Sequence, residues 1–201
     1  FDFIFGPLFH ELLPFDYEAF FQNPTDLQAG ATDLATGKAV FFSKKELGPG
    51  MEAVRASSAQ PFLAHPIRYG GRRLLDGSVA QAIPLRRAEE DGSLRNLVVL
   101  TRDDSYRKPE KPEYPRAVIR ARYWRYPDFA QALCRRGQVY NQLRRECLER
   151  EGAGRAIVIR PSRPITVSAF CRDPSQLMEL YAMGEQDTAA RLAEIKEFVT
   201  L

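Results

Sequence analysis

Leu74-Leu75-Asp76-Gly77-Ser78-Val79-Ala80-Gln81-Ala82-Ile83-Pro84 sets one carboxylate at the end of a short apolar run. Glycine and serine follow it, and a second apolar stretch then stops at a proline. Asp-Gly is a common turn pair, so by itself the stretch predicts a chain reversal with a carboxylate at its tip. Its weight comes from what stands around it.

Upstream, Pro66 to Val79 reads as a hairpin turning at Gly70-Gly71, whose return strand delivers Asp76. Before that, Leu27 to Asp33 and Lys38 to Ser43 flank Ala35-Thr36-Gly37, a short polar loop closed by glycine, which predicts a first hairpin. Met51 to Ala59 has helix formers with an apolar face and is stopped by Pro61. Downstream, Pro84 fits the first turn of a short helix over Leu85 to Glu90, closed by Asp91-Gly92. Asn96 to Thr101 is an apolar run of the kind found in buried parallel strands. Hairpin, helix, hairpin, helix and buried strand in that order predict an α/β layered domain over 1–105.

Residues 106–115 hold three prolines among charges and read as a linker. Residues 116–201 read as mainly helical: Arg116 to Tyr123, Pro127 to Leu133 and Gly137 to Glu151, then a lone strand Ala156 to Ile159. Asp173-Pro174 starts a last helix or helix pair, with Gly184 expected to bend or divide it. At the other end, Phe1 to Phe21 carries eight aromatics, an opening too apolar to stand free in water. It predicts a covering partner, expected to be a further N-terminal part of the same domain, and Asp16 is placed to cap a short helix from Tyr17.

Composition narrows the classes. The chain of 201 residues is 44% hydrophobic and 27% charged, which suits a folded chain and not a disordered one. No apolar run approaches the roughly 20 residues a bilayer span requires. Cys134, Cys147 and Cys171 form an odd set without close pairing, against a disulfide framework or a zinc site. A reducing, cytoplasmic setting fits them. The charge is uneven: 107–163 holds 15 Lys and Arg against six Asp and Glu, and the remainder 14 against 20. Solvated helix faces explain such a bias. So does a surface that meets anionic lipid headgroups, where each basic residue contributes about 1 kcal/mol. Tyr123, Trp124 and Tyr126 beside arginines raise nucleic-acid binding, which no accompanying motif supports.

The sequence contains no G-x-S-x-G, no phosphate-binding glycine-lysine pair, no G-x-G-x-x-G and no H-E-x-x-H. His10 sits among aromatics and His65 precedes a proline, neither in a setting typical of a catalytic triad. What does stand together is Ala56-Ser57-Ser58-Ala59-Gln60-Pro61, Leu75-Asp76-Gly77-Ser78, Ile83-Pro84 and, upstream, Gly30-Ala31-Thr32-Asp33-Leu34 with Thr36-Gly37-Lys38. In that order and spacing, roughly Phe15 to Thr101 resembles the C-terminal portion of the bacterial patatin-like phospholipase family. The resemblance implies part of a patatin-like layered sheet with flanking helices, followed by an extra, mainly helical C-terminal region.

The family's chemistry is a Ser–Asp dyad without histidine, metal or cofactor, hydrolysing lipid or small acyl esters. Asp76 matches the family's general base, and Gly77, Ser78, Ser57, Ser58 and Pro61 match the residues around it. An ordinary carboxylate is a weak base for a hydroxyl. The resemblance therefore implies partial burial and close approach to the serine, with glycine after the aspartate allowing a tight turn.

Two departures stand out. Ser78 occupies a position where the family has glycine or alanine, and its hydroxyl is a competitor for the carboxylate. The serine elbow and the glycine-rich oxyanion loop have no match in this sequence and are expected N-terminal to Phe1, so these residues alone are expected to be inactive. The contrasting expectation is a non-catalytic module for membrane surfaces or proteins, with a degenerate patatin-like half. Peripheral contact with a membrane accords with either.

Overall fold

The computed structural model describes residues 2–200. Phe1, the first of the opening aromatics, and Leu201 lie outside them. The chain divides into two compact units, one of 1–83 with 109–140 and the other of 84–108 with 141–201.

In the first unit, β1 (Gln28–Asp33) and β2 (Ala39–Ser43) form the first hairpin, and β3 (Ile67–Tyr69) and β4 (Arg72–Asp76) the second. They join into one antiparallel sheet of order β2-β1-β4-β3, so the two hairpins meet along β1 and β4. Gly70 and Gly71 take φ of +55° and +72° at the second reversal. That left-handed pair matches the right-handed twist of the flanking strands and is open to glycine at little cost. Asp16 accepts the Ala19 N–H at the start of α1 (Tyr17–Gln22), as its position predicts.

Adjacent residues of β4 face opposite sides of the sheet, and both sides are covered. Leu74 packs with Ala31 and with Ala56 of α2 (Glu52–Ser57). Leu75 packs with Leu34, Val79, Ile119, Tyr123 and Phe129. Leu74, Leu75 and Leu34 are fully buried, and such a side chain contributes about 1.5–3 kcal/mol relative to an exposed one. Part of the aromatic opening is covered within the unit itself: Phe5, Phe15, Tyr17 and Phe20 pack on a cluster of Ala29, Leu47, Met51 and Ala53. Residues Ile4–Leu12 wind as a π-helix broken at Gly6, which the residue pattern does not announce.

In the second unit, β5 (Asn96–Val99) and β6 (Ala156–Ile159) pair in parallel, Asn96 opposite Ala156. Parallel pairing is as expected for the β5 run, but burial is not. Leu97 and Val99 are 46% and 67% exposed, because β5 has a single strand neighbour and alternate residues face away from the packed side. A run of apolar residues does not by itself require two covered faces. The unit also holds α3 (Leu85–Glu90), α6 (Pro174–Ala190) and α7 (Leu192–Thr200). Asp173 caps α6 by accepting the Ser175 N–H.

The model corrects two helix readings. α4 (Arg116–Arg122) is where expected, but the two helices over Pro127 to Leu133 and Gly137 to Glu151 are one, α5 (Pro127–Gly152). Gly137 does not break it, since one glycine costs a helix only about 1 kcal/mol. A side chain there would have its Cβ 2.1 Å from the Pro109 carbonyl oxygen, so the residue is small because a neighbouring loop lies against the helix. Likewise α6 continues undivided through Gly184, and the division falls at Arg191, whose guanidinium is committed to Glu151, Glu194 and the Val158 carbonyl.

Gly137→Ala is predicted to destabilise the chain by about 1–3 kcal/mol through overpacking, against the roughly 1 kcal/mol that alanine gains in an open helix. Urea denaturation of the variant measures the sign. A gain in stability would show that Pro109 does not hold its place against α5.

Candidate active site

Three neighbouring segments fix the end of β4. Register places Leu75 opposite Thr32 and Asp76 opposite Ala31 of β1. The Asp76 N–H leaves the strand ladder and donates to the Ala59 carbonyl at 2.9 Å, so the Ala56–Pro61 segment clamps the strand end. The Asp76 carbonyl accepts the Thr32 hydroxyl at 2.8 Å, and Thr32 Oγ1 in turn accepts the Ala80 N–H at 3.2 Å. One fully buried hydroxyl thus ties the residue before the turn to the residue after it.

Gly77 opens a single 3-10 turn, Gly77–Val79. A Cβ on it would lie 2.3 Å from the Gly30 carbonyl oxygen, a backbone atom with no room to give. The resemblance implies glycine here for approach to a serine. The geometry adds a reason inside the fold, which is the approach of the turn to β1.

The carboxylate that results is 8% exposed. Its Oδ1 accepts the Ser78 N–H at 2.7 Å. Among the described residues no donor reaches Oδ2 from the protein. Among the described residues the Ser78 hydroxyl makes no bond to the carboxylate, and its oxygen accepts from the Arg136 guanidinium at 2.7 Å. Arg136 also faces Glu113 at 3.8 Å.

The other predicted residues, Ser57, Ser58 and Pro61, lie in the Ala56–Pro61 segment whose Ala59 carbonyl meets the strand end. Ser58 bonds back to the Val54 and Arg55 carbonyls at the end of α2, the local role such a serine often has. Ser57 is half-buried and Pro61 buried. Asp33, one residue beyond Thr32, serves its own hairpin: Oδ1 accepts the Ala35 N–H and Oδ2 pairs with Arg72 at 2.6 Å. Among the described residues no serine hydroxyl bonds to Asp76, and no histidine bonds to it or to a serine. His10 is exposed with its ring stacked on Tyr17. Cys147 is not a nucleophile candidate, since burial, with Glu146 adding to it, pushes its thiol up to about 11.

Thr32 and Arg136 are the two contributors whose roles the sequence alone does not disclose. Thr32 stands within the resembling hairpin, and a hydroxyl beside the small residues Ala29, Gly30 and Ala31 is the signal that something needs a bond there. Arg136 leaves no such trace, being one of many arginines on a helix far along the chain.

With this geometry in place, comparison with known proteins gives two findings. A family model described as a domain of unknown function (DUF6363) matches residues 126–200. Over 82 residues the chain is 38% identical to proteins named as uncharacterized NTE family proteins, from Mycobacterium bovis and from two strains of Mycobacterium tuberculosis. That stretch is 41% of this chain and 19% of each relative, so the chain matches about a fifth of their length.

Thr32→Val keeps the shape and removes the bridging hydroxyl, leaving the Asp76 carbonyl and Ala80 N–H without it. The predicted cost is about 1–3 kcal/mol, read as a lowered midpoint in chemical denaturation. An unchanged midpoint would show that the bridge does not hold the turn.

Proposed function

We propose that the Asp76 turn is the base half of a Ser–Asp acyl-hydrolase site of the patatin-like kind, acting on lipid or small acyl esters. The observation that carries this reading is the carboxylate itself. It is nearly buried, is fixed through Oδ1 to the Ser78 N–H, and has its second oxygen without a protein donor among the described residues. Such an oxygen suits a serine hydroxyl at hydrogen-bond distance. The similarity to NTE family proteins supports it, the NTE family being a patatin-like phospholipase family.

The chemistry runs in two halves. The serine hydroxyl, hydrogen-bonded to Asp76, attacks the ester carbonyl while its proton passes to the carboxylate. Backbone amides hold the oxyanion of the tetrahedral intermediate. The proton then leaves with the alcohol, and an acyl-serine remains. Water attacks that ester with Asp76 again taking the proton, and collapse frees the acid and restores the serine. The 201 residues hold no G-x-S-x-G, so the proposal takes the serine and the oxyanion amides from outside them. Metal and cofactor have no part in it.

Asp76→Asn keeps an oxygen for the Ser78 N–H and removes the base. In the protein that carries the serine, p-nitrophenyl ester hydrolysis is predicted to fall about a thousandfold with the thermal melt unchanged, while the 201 residues by themselves leave the ester intact. Hydrolysis undiminished in the Asn variant would overturn the assignment and leave the non-catalytic module as the better reading. Turnover by the 201 residues would place the nucleophile within them.

A further inference from the structure

The arginines of the second unit are largely neutralised where they gather. A cavity of about 670 Å³ at the end of β6 is lined by charges that answer one another. There Arg160 meets Glu151 and Asp104, Arg191 meets Glu151 and Glu194, and Asp187 accepts the Ser162 N–H. The first unit has a groove of similar size, about 660 Å³, with the opposite character. It runs between α4 and the first turns of α5, over a floor that includes Tyr123 and Ala130.

Arg116 and Arg120 stand one turn apart on α4, and Arg135 lies on the facing side of α5 with Gln131 and Gln138. All three arginines are exposed, and among the described residues none has an ion pair or a side-chain hydrogen bond. Asp128 is the single acidic side chain of the lining. At the end of α4 stands Trp124, the chain's only tryptophan, 69% exposed with the Arg125 guanidinium 4.8 Å from its ring centroid. Three guanidinium groups without a protein partner beside an exposed indole put positive charge and apolar surface together on one open face. A guanidinium matches phosphate oxygens in a two-pronged geometry, and tryptophan settles where an apolar medium meets a polar one.

We propose that this groove is a docking surface for a bilayer rich in anionic phospholipids. Arg116, Arg120 and Arg135 meet headgroup phosphates, and Trp124 enters the interface beside them. Contact is peripheral: no helix among the described residues is long and apolar enough to cross a membrane. The proposal does not depend on Asp76 or on any ester chemistry.

Trp124 reports its own environment. Titrating the chain with vesicles of phosphatidylcholine containing phosphatidylglycerol is expected to shift its emission to the blue, and phosphatidylcholine alone to leave it unchanged. Added salt should reverse the shift. By co-sedimentation, the triple variant Arg116→Gln/Arg120→Gln/Arg135→Gln should partition about a hundredfold less, roughly fivefold for each arginine. Trp124→Ala should weaken binding at unchanged net charge. A matched control, Arg68→Gln/Arg145→Gln/Arg172→Gln, removes the same charge from exposed sites outside the groove and should bind nearly as the parent does. Circular dichroism confirms the fold of each variant. Equal losses in the two triple variants would overturn the docking surface in favour of diffuse charge attraction. A Trp124 shift given by an RNA oligonucleotide and not by vesicles would overturn it in favour of nucleic acid.

Discussion

A glycine stands after Asp76 because a carbonyl occupies the place its side chain would take. Contact between Gly77 and the Gly30 backbone presses the 3-10 turn onto β1, and much else at this corner follows from that approach. It brings Ala80 within reach of the Thr32 hydroxyl, lets that hydroxyl also hold the Asp76 carbonyl, and leaves the Ser78 N–H pointing at the carboxylate. The aspartate is therefore held by backbone and by one threonine, with its own carboxylate bonded, among the described residues, through a single oxygen. Asp33, by contrast, is paired with Arg72 of β4. The difference between the two carboxylates is what separates a structural pair from a candidate base.

Much of this was legible in the residues. Both hairpins, the Asp16 and Asp173 caps and the strand Ala156–Ile159 carry strong local signals, namely turn glycines, capping carboxylates and β-branched runs. The placement of Asp76 at a strand end follows from the same signals. Where the reading failed, the deciding contact was distant. Gly137 looks like a helix break until Pro109 is seen against it, and Gly184 sits in an unbroken helix because the stop lies at Arg191, which answers to Glu151 and Val158. β5 looks buried on both faces because apolarity reports preference and not neighbours. The partner of the Ser78 hydroxyl oxygen, Arg136, lies far along the chain and leaves no local signal.

Charge separates the arginines into two kinds. Some are structural, such as Arg144, fully buried and donating to the Asp103 and Asp104 carbonyls, or Arg191 on Glu151. Glu151 shows how far such a network reaches. Burial opposes its ionisation, yet Arg160, the Val158 N–H and Arg191 together hold its carboxyl below the usual range. Arg116, Arg120 and Arg135, on α4 and α5, have no such partner among the described residues. Paired arginines hold the fold together, while unpaired ones are available to a ligand.

The central claim is that Asp76 takes a proton from a serine. The most direct measurement is the rate at which a fluorophosphonate labels that serine in the protein that joins it to these residues, because labelling needs the activated hydroxyl and no later step. With Asp76→Asn the account predicts labelling slowed by at least about a hundredfold while the folded structure is retained. Labelling at the parent rate would contradict it, since the serine would then be activated by some other group and Asp76 would be a buried turn residue and nothing more.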